Sequence, residues 1–364
     1  MRAPGNREDA AGRRPTHRPM RLDAPSGYLA AVTEPLRLAL DVVVTRGGLV
    51  ESRHRVHAAA VPADGTLTAH AGDAGLVTFW RSCAKPFQVM PFVRHGGLEH
   101  FGWGAEELAL ACGSHGGEPE HVAIAGRMLA RLDLEEGDLA CGVHEPLARR
   151  GAQLARDAKA PITRLHNNCS GKHAAMLARA RLAGWPTAGY ERADHPVQRE
   201  VREEIAAWAE RSALSIPVAV DGCGVSVFAL PLSAMALAYA KFGRDLANGS
   251  EPAARIGRAM REHPFLIGGT ERFDTVLIEE TGGSVISKVG AEGVHTVMVP
   301  DRGLGIAIKA EDGAMRAQYP AVLAALQQLG VLSMTLSPRL ADIGRRPIKN
   351  TRGEVVGDIV PQVW

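Results

Sequence analysis

The chain has 364 residues, 46% hydrophobic and 23% charged, with 40 Gly and 22 Pro, which excludes a disordered, collagen-like or disulfide-scaffold protein. Its formal charge of +2 divides unevenly: residues 1–22 carry six Arg against Glu8 and Asp9, so the tail is +4 and the body −2, without the basic footprint of nucleic-acid binding. No stretch approaches the roughly 20 apolar residues of a membrane span, and five scattered cysteines with no C-x-x-C pair predict a reducing, cytoplasmic setting.

Residues 1–34 read as a disordered Arg-rich tail; Arg13-Arg14 is followed by no apolar run before Asp23, so no export signal is read. Leu36–Thr45 and Leu49–Val61 flank Gly47-Gly48, a strong hairpin signal. With Thr66–Ala71 and Leu76–Trp80 they predict an antiparallel meander. Helical spacing then marks Ala105–Cys112, Glu120–Leu132, Lys172–Leu182, His195–Leu214 and Leu230–Leu246. Strand patterns return at Gly283–Val289, Val294–Val299 and Leu304–Ala310, followed by a helix over Met315–Leu329 and a last strand over Gly353–Ile359. The expected fold is α+β: an antiparallel sheet from about 35–82 and 283–310, an inserted helical region over 83–282, and a C-terminal helix and strand in 313–364. The fingerprints G-x-G-x-x-G and G-x-x-x-x-G-K-[ST] are absent.

Four polar motifs interrupt these elements. RSCAKP (81–86) places Ser82 and Lys85 one helical turn apart, an arrangement that activates a serine if the lysine pKa is depressed; taken alone, a Ser N-cap with an exposed Lys is the commoner explanation. CGSHGGE (112–118) sets Ser114 and His115 among small residues that admit a ligand, or merely cap the next helix. NNCSGKH (167–173) places amide, thiol and amine groups at a helix start, where binding is favoured. DGCG (221–224) offers a carboxylate suited to an ammonium group, or a plain turn. ESRHR (51–55) reads as the polar face of a strand, and no histidine has metal spacing.

In this order, ESRHR, RSCAKP, CGSHGGEPEH, HNNCSGKHA, DGCG, SKVGAEGV (287–294) and IKAEDGAMRA (308–317) resemble the rhizobial-type L-asparaginases, the asparaginase II family. The likeness runs from about Leu36 to the C-terminus. It implies a fold similar to serine β-lactamases, penicillin-binding proteins and glutaminases, and hydrolysis of L-asparagine by a homodimer. It implies two serine–lysine pairs, Ser82 with Lys85 and Ser114 with Lys288, Lys309 being the lesser candidate for the second lysine. It also implies zinc held by Cys169, Lys172 and Cys223. Asp221 would take the substrate α-ammonium, Arg81 and Lys172 would supply positive charge, and His173 would support the metal side of the substrate site. Ser82 is expected as nucleophile, with Ser114 able to exchange roles. Three departures from the family pattern stand out: Cys83 in place of serine, CGSHGGE in place of CASHSGE, and Ser226 in place of proline. The alternatives are an amidohydrolase acting on glutamine or a β-lactam-like amide, and an idle amino-acid or zinc-binding protein.

Overall fold

A computed structural model describes residues 34–159 and 161–362; the tail expected over 1–34 lies, up to residue 33, outside them. In chain order the strands are β1 (Leu36–Arg37), β2 (Val42–Arg46), β3 (Leu49–His54), β4 (Val56–Pro62), β5 (Ala69–Ala71) and β6 (Val77–Phe79). Next come β7 (Val218–Val220) and β8 (Ser226–Pro231), then β9 (Ile286–Val289), β10 (Val294–Val299), β11 (Leu304–Ala310), β12 (Arg346–Lys349) and β13 (Val355–Pro361). The main sheet runs β1-β5-β4-β11-β10-β9, antiparallel except for β1 beside β5. It is an α+β fold whose sheet joins early and late strands around a helical middle.

The predicted meander is corrected here. The hairpin β2–β3 turns at Gly47-Gly48 as expected, but it belongs to a second sheet, β12-β13-β2-β3, with strands from the end of the chain. The run Leu49–Val61 breaks at Arg55, whose carbonyl accepts from the Glu311 N–H, and β4 crosses into the main sheet. β6 pairs with β8 in a third, small sheet. Pairing partners hundreds of residues away decide these assignments, and local patterning carries no information about them.

Both faces of the main sheet are covered. Along β4, Ala59 and Val61 face one apolar core, while Val56, Ala58 and Ala60 face the other, as the two-residue strand period requires. The first core is shared with the helix Leu232–Ala247 and the second with the helix Met315–Gln328. Gly305 of β11 lets the first of these helices seat closely: a Cβ there would collide with the Ala236 carbonyl oxygen and the Ala240 nitrogen. Gly305→Ala is expected to lose about 1–3 kcal/mol or more, read as a lower urea midpoint. Gly303→Ala, where a Cβ meets open space at φ +54°, should cost only about 1 kcal/mol. Among the described residues no helix is long and apolar enough to cross a membrane.

Candidate active site

Strand β6 is followed by the buried Trp80, and the chain reverses through Arg81 at φ +51° into a 3-10 turn, Arg81–Ala84, and the helix Lys85–Arg94. A left-handed arginine costs of order 1 kcal/mol or more, and an ion pair holds it: Arg81 Nε donates to Asp221 Oδ1 at 2.8 Å. Burial works against the charge on Asp221, yet Lys172 and Arg81 keep its carboxyl below the usual range. Ser82 is left half-buried on the wall of a cavity.

Here the predicted Ser82–Lys85 pair takes a different form. Lys85 is fully buried, and its Nζ donates to Gly113 O at 2.5 Å, Asn168 O at 2.9 Å and Ser114 Oγ at 3.1 Å. The lysine stem carries the amine past its own turn to the neighbouring loop, so no bond goes to the Ser82 hydroxyl. Three acceptors match the three donors of an ammonium group, although burial pushes the Lys85 pKa down.

Ser114 follows the helix Ala105–Cys112. Its N–H donates to Ile267 O at 2.8 Å, and its Oγ also lies 2.8 Å from Lys288 Nζ on β9. Lys288 has no exposure; burial first, and then the nearby Lys85, push its pKa down to about 8, against the pull of Asp274 with Oδ2 at 4.0 Å. Lys309 turns elsewhere, its Nζ bonding Glu292 O at 2.8 Å and Ala310 O at 2.5 Å. His115 is structural: Nε2 meets Ser170 Oγ at 2.9 Å and Nδ1 accepts from Gly117 N–H at 3.2 Å. The capping role read for this loop falls to neither residue: the next helix starts after Glu118, whose N–H donates to His121 Nδ1 at 3.1 Å.

The third and fourth motifs meet across the cavity. Lys172 Nζ lies 3.0 Å from Cys223 Sγ, and the Cys169 thiol bonds the same sulfur, which pulls Cys223 down to about 4 while Cys169 is pushed up to about 12. Among the described residues no three His, Cys, Asp or Glu are spaced to hold a metal; this trio includes a lysine. His173 departs from expectation. It is fully buried and does not line the cavity; its Nδ1 lies 2.6 Å from Tyr190 Oη. Burial and Lys172 push it down to about 3, so it is a neutral brace behind the wall.

The cavity measures about 420 Å3 and brings together Arg81, Ser82, Ser114, Cys169, Asp221 and Cys223, at the small end of ligand pockets. A larger surface cleft of about 510 Å3 beside Arg94, Glu204 and Trp208 contains no serine or cysteine. The sequence reading missed Arg272 and left Glu292 without a role, though both line the cavity. Arg272 stands just before the apolar helix Phe273–Glu280, where a charged residue reads as an ordinary helix start. ESRHR has more to do than expected: His54 Nδ1 meets Asp312 Oδ2 at 2.6 Å and His54 Nε2 accepts from Arg316 Nε at 2.9 Å, bracing the loop that brings Gly313 and Met315 to the cavity.

The family model described as L-asparaginase II matches residues 42–361. Among curated proteins there is no match. Of solved structures, Mglu in its native form is similar with a TM-score of 0.41 at 13% identity, over 78% of this chain and 66% of that one, slightly less than two thirds of its length. A β-lactamase from Mycobacterium bovis gives 0.38 at 15% identity, over 76% and 96%. A probable glutaminase from Bacillus subtilis, complexed with 6-diazo-5-oxo-L-norleucine, gives 0.33 at 12% identity, over 77% and 85%.

Proposed function

The chain belongs to the L-asparaginase II family, and on that footing we propose that it hydrolyses the side-chain amide of L-asparagine to L-aspartate and ammonia. The observation that carries the mechanism is the Ser114 hydroxyl on the cavity wall, 2.8 Å from Lys288 Nζ and 3.1 Å from Lys85 Nζ. Lys288, with a pKa near 8, is the base; Lys85, saturated with acceptors, is the fixed cation that favours the alkoxide.

In the first half-reaction Ser114 Oγ attacks the carboxamide carbon as its proton passes to Lys288. The C–N bond breaks, the same proton goes to the departing nitrogen, and ammonia leaves an aspartyl ester. In the second half, water attacks that ester, gives a proton to Lys288, and Ser114 recovers one as L-aspartate departs. Ser82, facing the same cavity, positions the amide. Asp221, anchored by Arg81, receives the substrate α-ammonium.

Zinc belongs to this reading as well. Two sulfurs and an amine that converge on one side of the cavity suit a soft divalent cation, with Cys169 and Cys223 binding as thiolates and Lys172 as the free amine. A bound ion would supply fixed positive charge and Lewis acidity beside the amide. The test is ammonia release from L-asparagine and L-glutamine by purified protein, before and after chelation and zinc readdition. Release from asparagine is expected, falling at least several-fold on chelation and returning with zinc. Faster release from glutamine would make the protein a glutaminase, and binding without release from either amide would make it an idle amino-acid-binding protein.

A further inference from the structure

Among the cationic side chains bearing on the cavity, all but one are committed. Arg81 is paired with Asp221, Lys85 and Lys288 are bonded to Ser114 and backbone carbonyls, and Lys172 contacts Cys223. Arg272 is the exception. It lines the cavity, its Nε is shielded from solvent, and its guanidinium has no hydrogen bond or ion pair among the described residues. A shielded guanidinium donor without an acceptor is costly to keep, and its planar fork matches a carboxylate better than any other small anion an amino acid presents.

Its placement is fixed rather than incidental. The segment that carries it is stapled to the serine loop twice: Ser114 N–H donates to Ile267 O at 2.8 Å, and the buried Glu118 carboxylate accepts from Thr270 N–H and Thr270 Oγ1, both at 2.7 Å. Arg272 N–H closes the turn on Gly269 O at 3.2 Å. The backbone that carries Arg272 therefore keeps its place relative to Ser114, which a substrate anchor requires.

We propose that Arg272 receives the α-carboxylate of the substrate, and that it thereby confines the site to free amino-acid amides, since an asparagine inside a peptide has no α-carboxylate to offer. This rests on the reading that the cavity accepts an amino-acid amide, with Asp221 on the ammonium. The side-chain amide is then presented to Ser114 by two charged contacts on the opposite end of the molecule.

The test compares the full chain with Arg272→Met and Arg272→Lys. Calorimetry would follow L-aspartate, which has the α-carboxylate, and 3-aminopropanamide, which lacks it; ammonia release would follow L-asparagine. Arg272→Met should weaken L-aspartate about 10- to 100-fold and raise KM for asparagine by a similar factor with kcat changed only a few-fold. It should leave 3-aminopropanamide unaffected, and Arg272→Lys should recover part of the loss. An equal loss for both ligands, a loss of L-aspartate binding below about threefold, or no L-aspartate binding by the wild type overturns the assignment. Arg272-dependent binding of L-aspartate by a wild type that releases no ammonia upholds it and instead removes the asparaginase reading.

Discussion

Ser114→Ala is expected to lower kcat/KM for asparagine by roughly 10^4- to 10^6-fold, or more than about 5 kcal/mol of transition-state stabilisation. The variant loses the one oxygen among the described residues to which both lysine amines are hydrogen-bonded, and no covalent aspartyl ester should accumulate in rapid-quench mass spectrometry. Lys85 keeps Gly113 O and Asn168 O as acceptors, and Lys288 keeps Val289 O, so the fold should survive. Ser82→Ala removes a hydroxyl that is hydrogen-bonded to neither lysine, and a loss of about 10- to 100-fold is expected with ester formation intact. The reverse pattern, an ester in Ser114→Ala and none in Ser82→Ala, would transfer the nucleophile to Ser82 and leave Ser114 as the relay between the lysines.

Lys288→Met should cost about 10^2- to 10^4-fold in kcat and change the pH profile as well as the rate. In the proposed mechanism the free amine is the working form, so kcat/KM should climb as pH rises through about 8, where Lys288 gives up its proton. The variant should lose that rise. Asp274, left without a lysine beside it, still accepts from Ser287 Oγ and Val289 N–H and faces His295 Nε2 at 3.3 Å, so its buried charge is not orphaned. A variant that keeps both its rate and the rise near pH 8 would remove Lys288 from the base role.

Much of the site was legible because packing explains its residues poorly. Ser82, Ser114, Lys172 and Asp221 sit in polar or small-residue runs whose order carried the resemblance, and those runs do converge. The choice of Lys288 over Lys309 followed from the resemblance alone, and the Ser114 contact is its physical counterpart. What escaped was direction. Residue spacing places Lys85 beside Ser82, but a four-carbon stem can carry the amine past its own turn, and its acceptors lie on a loop that sequence does not locate. His173 shares a motif with Lys172 yet points to Tyr190, because adjacent helical residues face different sides. Arg272 left no mark, since an arginine at the start of a helix is unremarkable until its lack of a partner is seen. In the fold, the helices Ala105–Cys112 and Ser170–Leu182 were visible in periodicity, whereas the division of β2, β4 and β6 among three sheets depends on strands far along the chain.

That last feature has a bearing on how the protein is made. Thr45 of β2 and Asp358 of β13 are hydrogen-bonded across 313 residues. At translation rates of about 5–20 residues per second, roughly 15–60 s pass between the emergence of the first strand and that of its neighbour. Throughout that interval β2 lacks the neighbour that covers one of its edges in the finished sheet, and the hairpin stays open to pairing with other strands.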